Sequence, residues 1–218
     1  DKLLDRLRTL KGELIVCYEA SIGYGPLYEA LSRCCRRVVV AHPGRLRLIF
    51  RSRRKNDRVD ARKLAKLLYL DEVPAVHVPS LDGRSWRELI EFRRRLVDKR
   101  TRCKNGLRAL LRGQAVAAPR SLWTKKGRAW LEALGPTLAT AAARVRLEAL
   151  LSELDHHEQQ VRRVTEELDR MAQQHPGVAL LMTTPGVGPR TAEAVLAYVD
   201  APHRFARTRR VGAYFGLV

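Results

Sequence analysis

The spacing of apolar residues changes character along the chain, and each change marks an element. Leu3, Leu4, Leu7 and Leu10 recur at helical spacing with Gly12 behind them as a stop, which predicts an amphipathic helix over 1–12. The run ELIVCYE at 13–19 is short, apolar and rich in β-formers, so it reads as a buried strand ending on Glu19. Pro26 opens a helix to about Cys34, at a position where its missing N–H costs nothing. RVVVAH at 37–42 reads as a second strand stopped by Pro43-Gly44, a basic helix follows, and 73–78 reads as a third strand. Strand, helix, strand, helix, strand predicts an α/β arrangement, a parallel or mixed sheet covered by helices. In such sheets functional groups gather at the carboxyl ends of strands, where Glu19 sits. An ordinary strand-terminal charge is the plainer reading of Glu19.

The second half is helical throughout. From 85 to 112 the chain is strongly basic, with Leu89, Leu96, Cys103 and Leu110 seven apart as one apolar stripe, closed by Gly113 and Pro119. Residues 113–136 form a break holding a short helix near 126–134. Over 137–174 the residues Leu147, Leu150, Leu154, His157, Val161, Val164, Leu168 and Met171 alternate by three and four, the seam of a coiled coil. His157 sits in that seam and its neighbour His156 does not. It reads as a polar register-setting residue in preference to half of a metal site, because adjacent helix residues point apart. The partner of the seam is either the 86–112 helix, as an antiparallel hairpin, or a second chain. Beyond Pro176-Gly177, two apolar helical stretches flank a Gly186-Val187-Gly188 turn. That is the helix–hairpin–helix pattern, whose turn and following helix N-terminus offer backbone N–H groups to a phosphate. A plain helical hairpin is the alternative.

Charge narrows the partners. A formal net charge of +19 and a pI near 10.7 favour nucleic acid or an acidic membrane. No apolar run approaches the ~20 residues that span a bilayer, so a membrane is not expected. The four cysteines at 17, 34, 35 and 103 fit no zinc spacing and read as reduced packing residues of a cytoplasmic protein. Aromatic residues make up 6% of the chain, which suits gripping of backbones more than stacking on bases.

Candidate chemistry centres on RSRRKNDRVDARKLAK at 51–66. Asp57 and Asp60 are three apart and share a helix face, ringed by Arg51, Arg53, Arg54, Lys55, Arg58 and Arg62. Paired carboxylates hold divalent cations through oxygen, and the surrounding cations hold a phosphodiester backbone. Such a pair is equally at home on a solvated helix face. Arg94, Arg95, Arg102 and Lys104 on the 85–112 helix are further backbone-binding candidates, as are Arg190, Arg204, Arg207, Arg209 and Arg210 around the Gly186–Gly188 turn.

Taken together, YEASIGYGPLYEAL, RRVVVAHPGRLRLI and KNDRVDARKLAKLL resemble the N-terminal domain of the insertion sequence 110 family transposases. TTPGVGPRTAEAVLAYV with RFARTRRVGAYFGLV resembles the C-terminal transposase domain of the same family. The resemblance implies an RNase H/RuvC-like α/β domain over 1–84 lacking its first strand, a basic coiled-coil region over 85–175, and the start of a helix–hairpin–helix transposase domain over 176–218. It implies four acids, with Glu19 second and Asp57 and Asp60 third and fourth, binding Mg2+ or Mn2+. Neither Asp1 nor Asp5 suits the first acid. No serine of the chain matches the nucleophile that the family carries in its C-terminal domain, so truncation at both ends is expected. The implied partners are donor and target DNA, a structured non-coding bridge RNA that selects them, and further copies of the chain as a dimer or tetramer. The implied setting is the nucleoid of a bacterial cytoplasm. Two rivals to this recombinase reading are a RuvC-like Holliday-junction nuclease and a non-enzymatic RNA- or DNA-binding scaffold.

Overall fold

The computed structural model describes residues 2–49 and 56–217. The chain divides into two units, Asp1–Arg84 and Ser85–Val218.

In the first unit a short helix, α1 (Lys2–Arg8), buries none of its residues and ends sooner than its leucine spacing predicts. The chain then enters β1 (Ile15–Glu19), crosses through α2 (Tyr24–Ser32) and returns as β2 (Arg37–Ala41). The two strands pair in parallel, with Ile15 opposite Arg37 and Glu19 opposite Ala41. Helix α2 starts two residues before Pro26, on a left-handed Gly23 (φ +82°) that few side chains would tolerate. Pro26 still fits, because first-turn N–H groups have no partner inside the helix. Buried Gly25 lets Arg84 lie across α2, since a Cβ there would sit 2.5 Å from Arg84 Nε. Arg84 donates to the Pro79 carbonyl (2.6 Å) and pairs with Glu29.

The second strand ends before Pro43, as expected, and Pro43 itself opens α3 (Pro43–Ile49), where a fixed φ suits a first helical turn. The segment 73–78 is not a third strand. It makes one antiparallel bridge, Ala75 to Ala41, with Val76 N–H donating to Val40 and His42 N–H to Pro74. Pro74 and Pro79 have no N–H to extend a ladder, so pairing ends there. Among the described residues the sheet therefore has two strands, and a full RNase H-type sheet is not formed. Helix α4 (Asp57–Tyr69) is capped by Asn56, whose side chain accepts from the Arg58 N–H at 3.0 Å. It buries Leu67 with Ala41 and Leu46, and Cys17, Leu64 and Val73 close around them.

The second unit is built on two 33-residue helices, α5 (Leu81–Gly113, whose first turn lies in the first unit) and α7 (Ala141–Gln173). They form an antiparallel hairpin. Cys103, Leu107, Leu110 and Leu111 pack with Leu147, Leu151 and Leu154, while Trp86 and Leu96 pack with Val161, Val164, Leu168 and Ala172. The seam of α7 thus finds its partner within the same chain. Its stripe is broader than a strict seam, for Leu151 and Ala172 are buried where Leu150 and Met171 are half-buried. Gly106 gives Leu150 its room, since a Cβ there would lie 3.1 Å from the leucine. Helix α6 (Lys125–Leu134), capped by Thr124, closes one end of the hairpin with Leu131 fully buried. At the other end sit α8 (Pro176–Met182) and α9 (Pro189–Val199), followed by α10 (Arg209–Tyr214).

Candidate nucleic-acid interface

The three candidate acids lie on two packed elements. Glu19 ends β1 and is exposed. It is two residues beyond Cys17 and so leaves the strand on the side that meets α4. Asp57 and Asp60 lie in the first turn of α4, seven residues before Leu64 and Leu67, which places them on the helix face turned to β1. The helix dipole favours acids at this end, so a stabilising role for both is built in. Asp60 also pairs loosely with Lys63 at 3.7 Å. Carboxylate oxygens are the right donors for Mg2+. Yet among the described residues no group of three or more His, Cys, Asp or Glu is gathered to hold a metal ion. The three acids therefore share facing surfaces without forming one coordination set.

Helices α8 and α9 make the expected hairpin. A Cβ on Gly177 would lie 3.1 Å from Leu196, which shows how closely the two helices approach. Gly186 is left-handed (φ +84°), Gly188 is the N-cap of α9, and Pro189 takes its first position. The far end of α9 is held by two arginines. Arg87 Nε donates to the Ala197 carbonyl (2.6 Å) and Arg204 Nε to that of Val199 (3.1 Å), and both reach Tyr198 O. Positive charge at a helix C-terminus offsets the dipole and satisfies its last carbonyls. Arg204 also lies over Phe205 and Tyr214, at 4.1 and 4.7 Å from their centroids. Arg204, which the sequence groups with the phosphate binders, is thus a structural cap.

The basic candidates separate in the same manner. Arg51, Arg53, Arg54 and Lys55 lie outside the described residues. Arg58 and Arg62 are exposed on α4, and Arg207, Arg209 and Arg210 are exposed near α10. Arg94 is tied to Glu91 (2.9 Å) and Asp98 (3.4 Å). Lys104 pairs with Glu158 at 3.4 Å and, with Arg108, lies over the Trp123 ring. Arg190 bridges Asp169 and Glu193. Arg95 and Arg102 stay exposed and form no ion pair among the described residues.

One group escaped sequence reasoning altogether. Glu193 on α9 is buried, 1% exposed, with Arg190 from its own helix, Arg93 from α5 and Asp169 from α7 around it. Burial pushes its carboxyl up to about 7 against the pull of Arg190 and Arg93, and Asp169 adds to the rise. Its place on the inward face of α9, beside Ala192 and Ala197, was the only signal available. The cysteines are all free, and burial pushes the Cys17 thiol up to about 11, which suits packing. No helix among the described residues is long and apolar enough to cross a membrane.

Comparison with known proteins finds family matches at both ends of the chain. Residues 1–115 match the DEDD transposase family of IS110 elements, and residues 178–218 match the transposase family IS116/IS110/IS902. Over 170 residues the chain is 29% identical to the transposase for insertion sequence element IS1111A of Coxiella burnetii (strain RSA 493 / Nine Mile phase I). That match covers 75% of this chain and 45% of the relative, so the chain spans less than half the length of the protein it resembles.

Proposed function

Because the chain belongs to the IS110 family of transposases, we propose that it serves DNA cutting and rejoining in an insertion sequence, with Glu19, Asp57 and Asp60 as its acids. The observation that carries this reading is the facing of Glu19, at the carboxyl end of β1, with the first turn of α4. Carboxylates at a strand end are where α/β sheets concentrate their chemistry. The cofactor is Mg2+ or Mn2+, a hard cation that polarises a phosphate when bound among carboxylates. The acids of this chain would supply oxygen ligands to it.

The same reading gives site selection to a structured RNA, leaving the protein to grip backbones of donor and target DNA. A strongly basic chain with few aromatic residues fits that division. It further assigns residues 1–84 to the nuclease domain, 85–175 to the helical region and 176–218 to the transposase domain. A homo-oligomer is the proposed working form. Substitution of Glu19→Gln and of Asp60→Ala in the full-length protein tests the reading. Each is expected to lower strand cleavage by a hundredfold or more, on the order of the loss when a directly engaged catalytic group is removed, while DNA binding persists. Cleavage at the normal rate in either variant would remove these acids from the chemistry.

A further inference from the structure

The hairpin sorts the basic residues of α5 by position, and the sorting leaves one stripe unexplained. Arg87 caps α9, Arg93 Nε donates to Thr165 Oγ1 at 2.7 Å, and Lys104 pairs with Glu158. Arg94 is neutralised by Glu91 and Asp98 along the adjoining face. Arg95, Lys99 and Arg102 are different. All three are exposed, none makes an ion pair among the described residues, and they recur at i, i+4 and i+7. Arg95, two residues past Arg93, lies on the other flank of α5, bordering a groove with Glu167 and Met171 of α7.

Like charges at i, i+3 and i+4 destabilise a helix, here in both successive pairs, while the nearby acids Glu91 and Asp98 are ion-paired to Arg94. The stripe also has a defined end. Glu88, seven residues before Arg95, continues the same face with opposite charge and shares with Arg95 an open groove of about 620 Å3 whose other acids are Glu91 and Glu167. Beyond Arg102 the face passes to Gly106 and Ala109. Three cations thus cover about 10.5 Å of helix axis at 1.5 Å per residue. Along duplex DNA, one strand carries a phosphate about every 3.4 Å of axis, so the stripe covers about three phosphate spacings.

We propose that Arg95, Lys99 and Arg102 form a contact surface for the phosphate backbone of duplex DNA. The proposal rests on the transposase reading for its choice of DNA, and on charge and spacing for its place. Lys99, absent from the sequence-derived candidates, is its central residue. Arg94 and Lys104 drop out because their charge is already met.

The test is a titration of the full 218-residue chain with a mixed-sequence duplex DNA at several salt concentrations, read by fluorescence anisotropy. R95Q/K99Q/R102Q is expected to weaken binding at low salt and to flatten the slope of log K against log salt by about 2.7, at about 0.9 per phosphate contact. A charge-matched control, R94Q/R162Q/R163Q, removes three positive charges elsewhere in the same unit and is expected to shift the slope by less than about 1. The single K99Q change, expected to flatten it by about 0.9, keeps the test decisive if the triple variant loses helix by circular dichroism. Equal flattening by control and stripe variants overturns the proposal, as does an unchanged slope in K99Q and the triple variant. So does a loss confined to a stem–loop RNA with duplex binding intact. A chain that binds through the stripe while E19Q still cuts sinks the catalytic reading alone, so the two failures stay distinguishable.

Discussion

Glu193 shows how one buried carboxyl ties pH to stability. Arg190 Nη1 lies 3.2 Å from Glu193 Oε2, yet neither atom has a hydrogen-bond partner among the described residues, so the contact is ionic and poorly directed. Arg93, Arg190 and Asp169 face the group from α5, α9 and α7. With its folded pKa raised from 4.5 to about 7, the folded state holds the Glu193 proton more tightly than the unfolded chain does. That contribution is fully present below pH 4.5 and is lost as pH rises through about 7. The loss is on the order of 3 kcal/mol at 1.36 kcal/mol per pKa unit. Glu193→Gln is expected to abolish the fall between pH 5 and 8, measured by urea denaturation across that range. A parallel pH profile in the variant would assign the slope to other groups. Glu91, held below the usual carboxylate range by Arg94 and the Tyr198 hydroxyl, acts oppositely and only in acid. At this scale the sequence was informative for Gly186, the turn glycine of the α8–α9 hairpin, and for the shared helix face of Asp57 and Asp60, which follow from local geometry. It was silent on Glu193 and Arg87 and misled on Arg204, since their partners lie on other elements.

Among the elements, the α5–α7 hairpin was the most legible, because period alone defines a helix of 33 residues and the face it buries. Which helix covered that face depended on packing that no local pattern contains. The strand at 73–78 failed for the converse reason. Its apolar residues look like a strand, but its prolines limit it to one bridge. Helix α6 was placed correctly, though not the contact that fixes it. Gly127 meets the backbone carbonyls of Ser121 and Leu122, and a Cβ would lie 2.4 and 2.5 Å from those oxygens. Neither carbonyl can move aside like a flexible side chain. Gly127→Ala is therefore expected to destabilise the unit by about 1–3 kcal/mol or more through overpacking, although alanine is the better helix former. Thermal melts of the variant check this, and an unchanged or raised midpoint would show that the 121–124 turn yields freely.

For the whole molecule, the division into two units carries its own prediction. Both larger core clusters lie within Ser85–Val218, whereas the first unit rests on Ala41, Leu46 and Leu67 with three half-buried neighbours. A chain of residues 85–218 is expected to be helical and to melt cooperatively by circular dichroism. Leu107→Ala or Leu168→Ala in it should cost about 2–5 kcal/mol, as fully buried leucines do. A broad, non-cooperative melt would mean that the helical unit depends on residues 1–84. The family and the order of its parts were readable from motifs at both ends, while the reduced sheet and the ungathered acids were not, since strand pairing and side-chain convergence are set by long-range contacts.

The hairpin also has an electrical shape. Helix α5 carries eleven Arg and Lys against four Asp and Glu, whereas α7 carries five against seven. Two such rods side by side make a transverse dipole, positive along one edge and negative along the other. Near a polyanion this dipole experiences a torque, so the unit turns its α5 edge forward before contact. Screening over a Debye length of about 8 Å at physiological ionic strength confines that torque to the final approach. The consequence is kinetic: reversing the polarity of α7 would admit wrong-way encounters and lower the productive fraction of collisions, even with every contact in the finished complex retained.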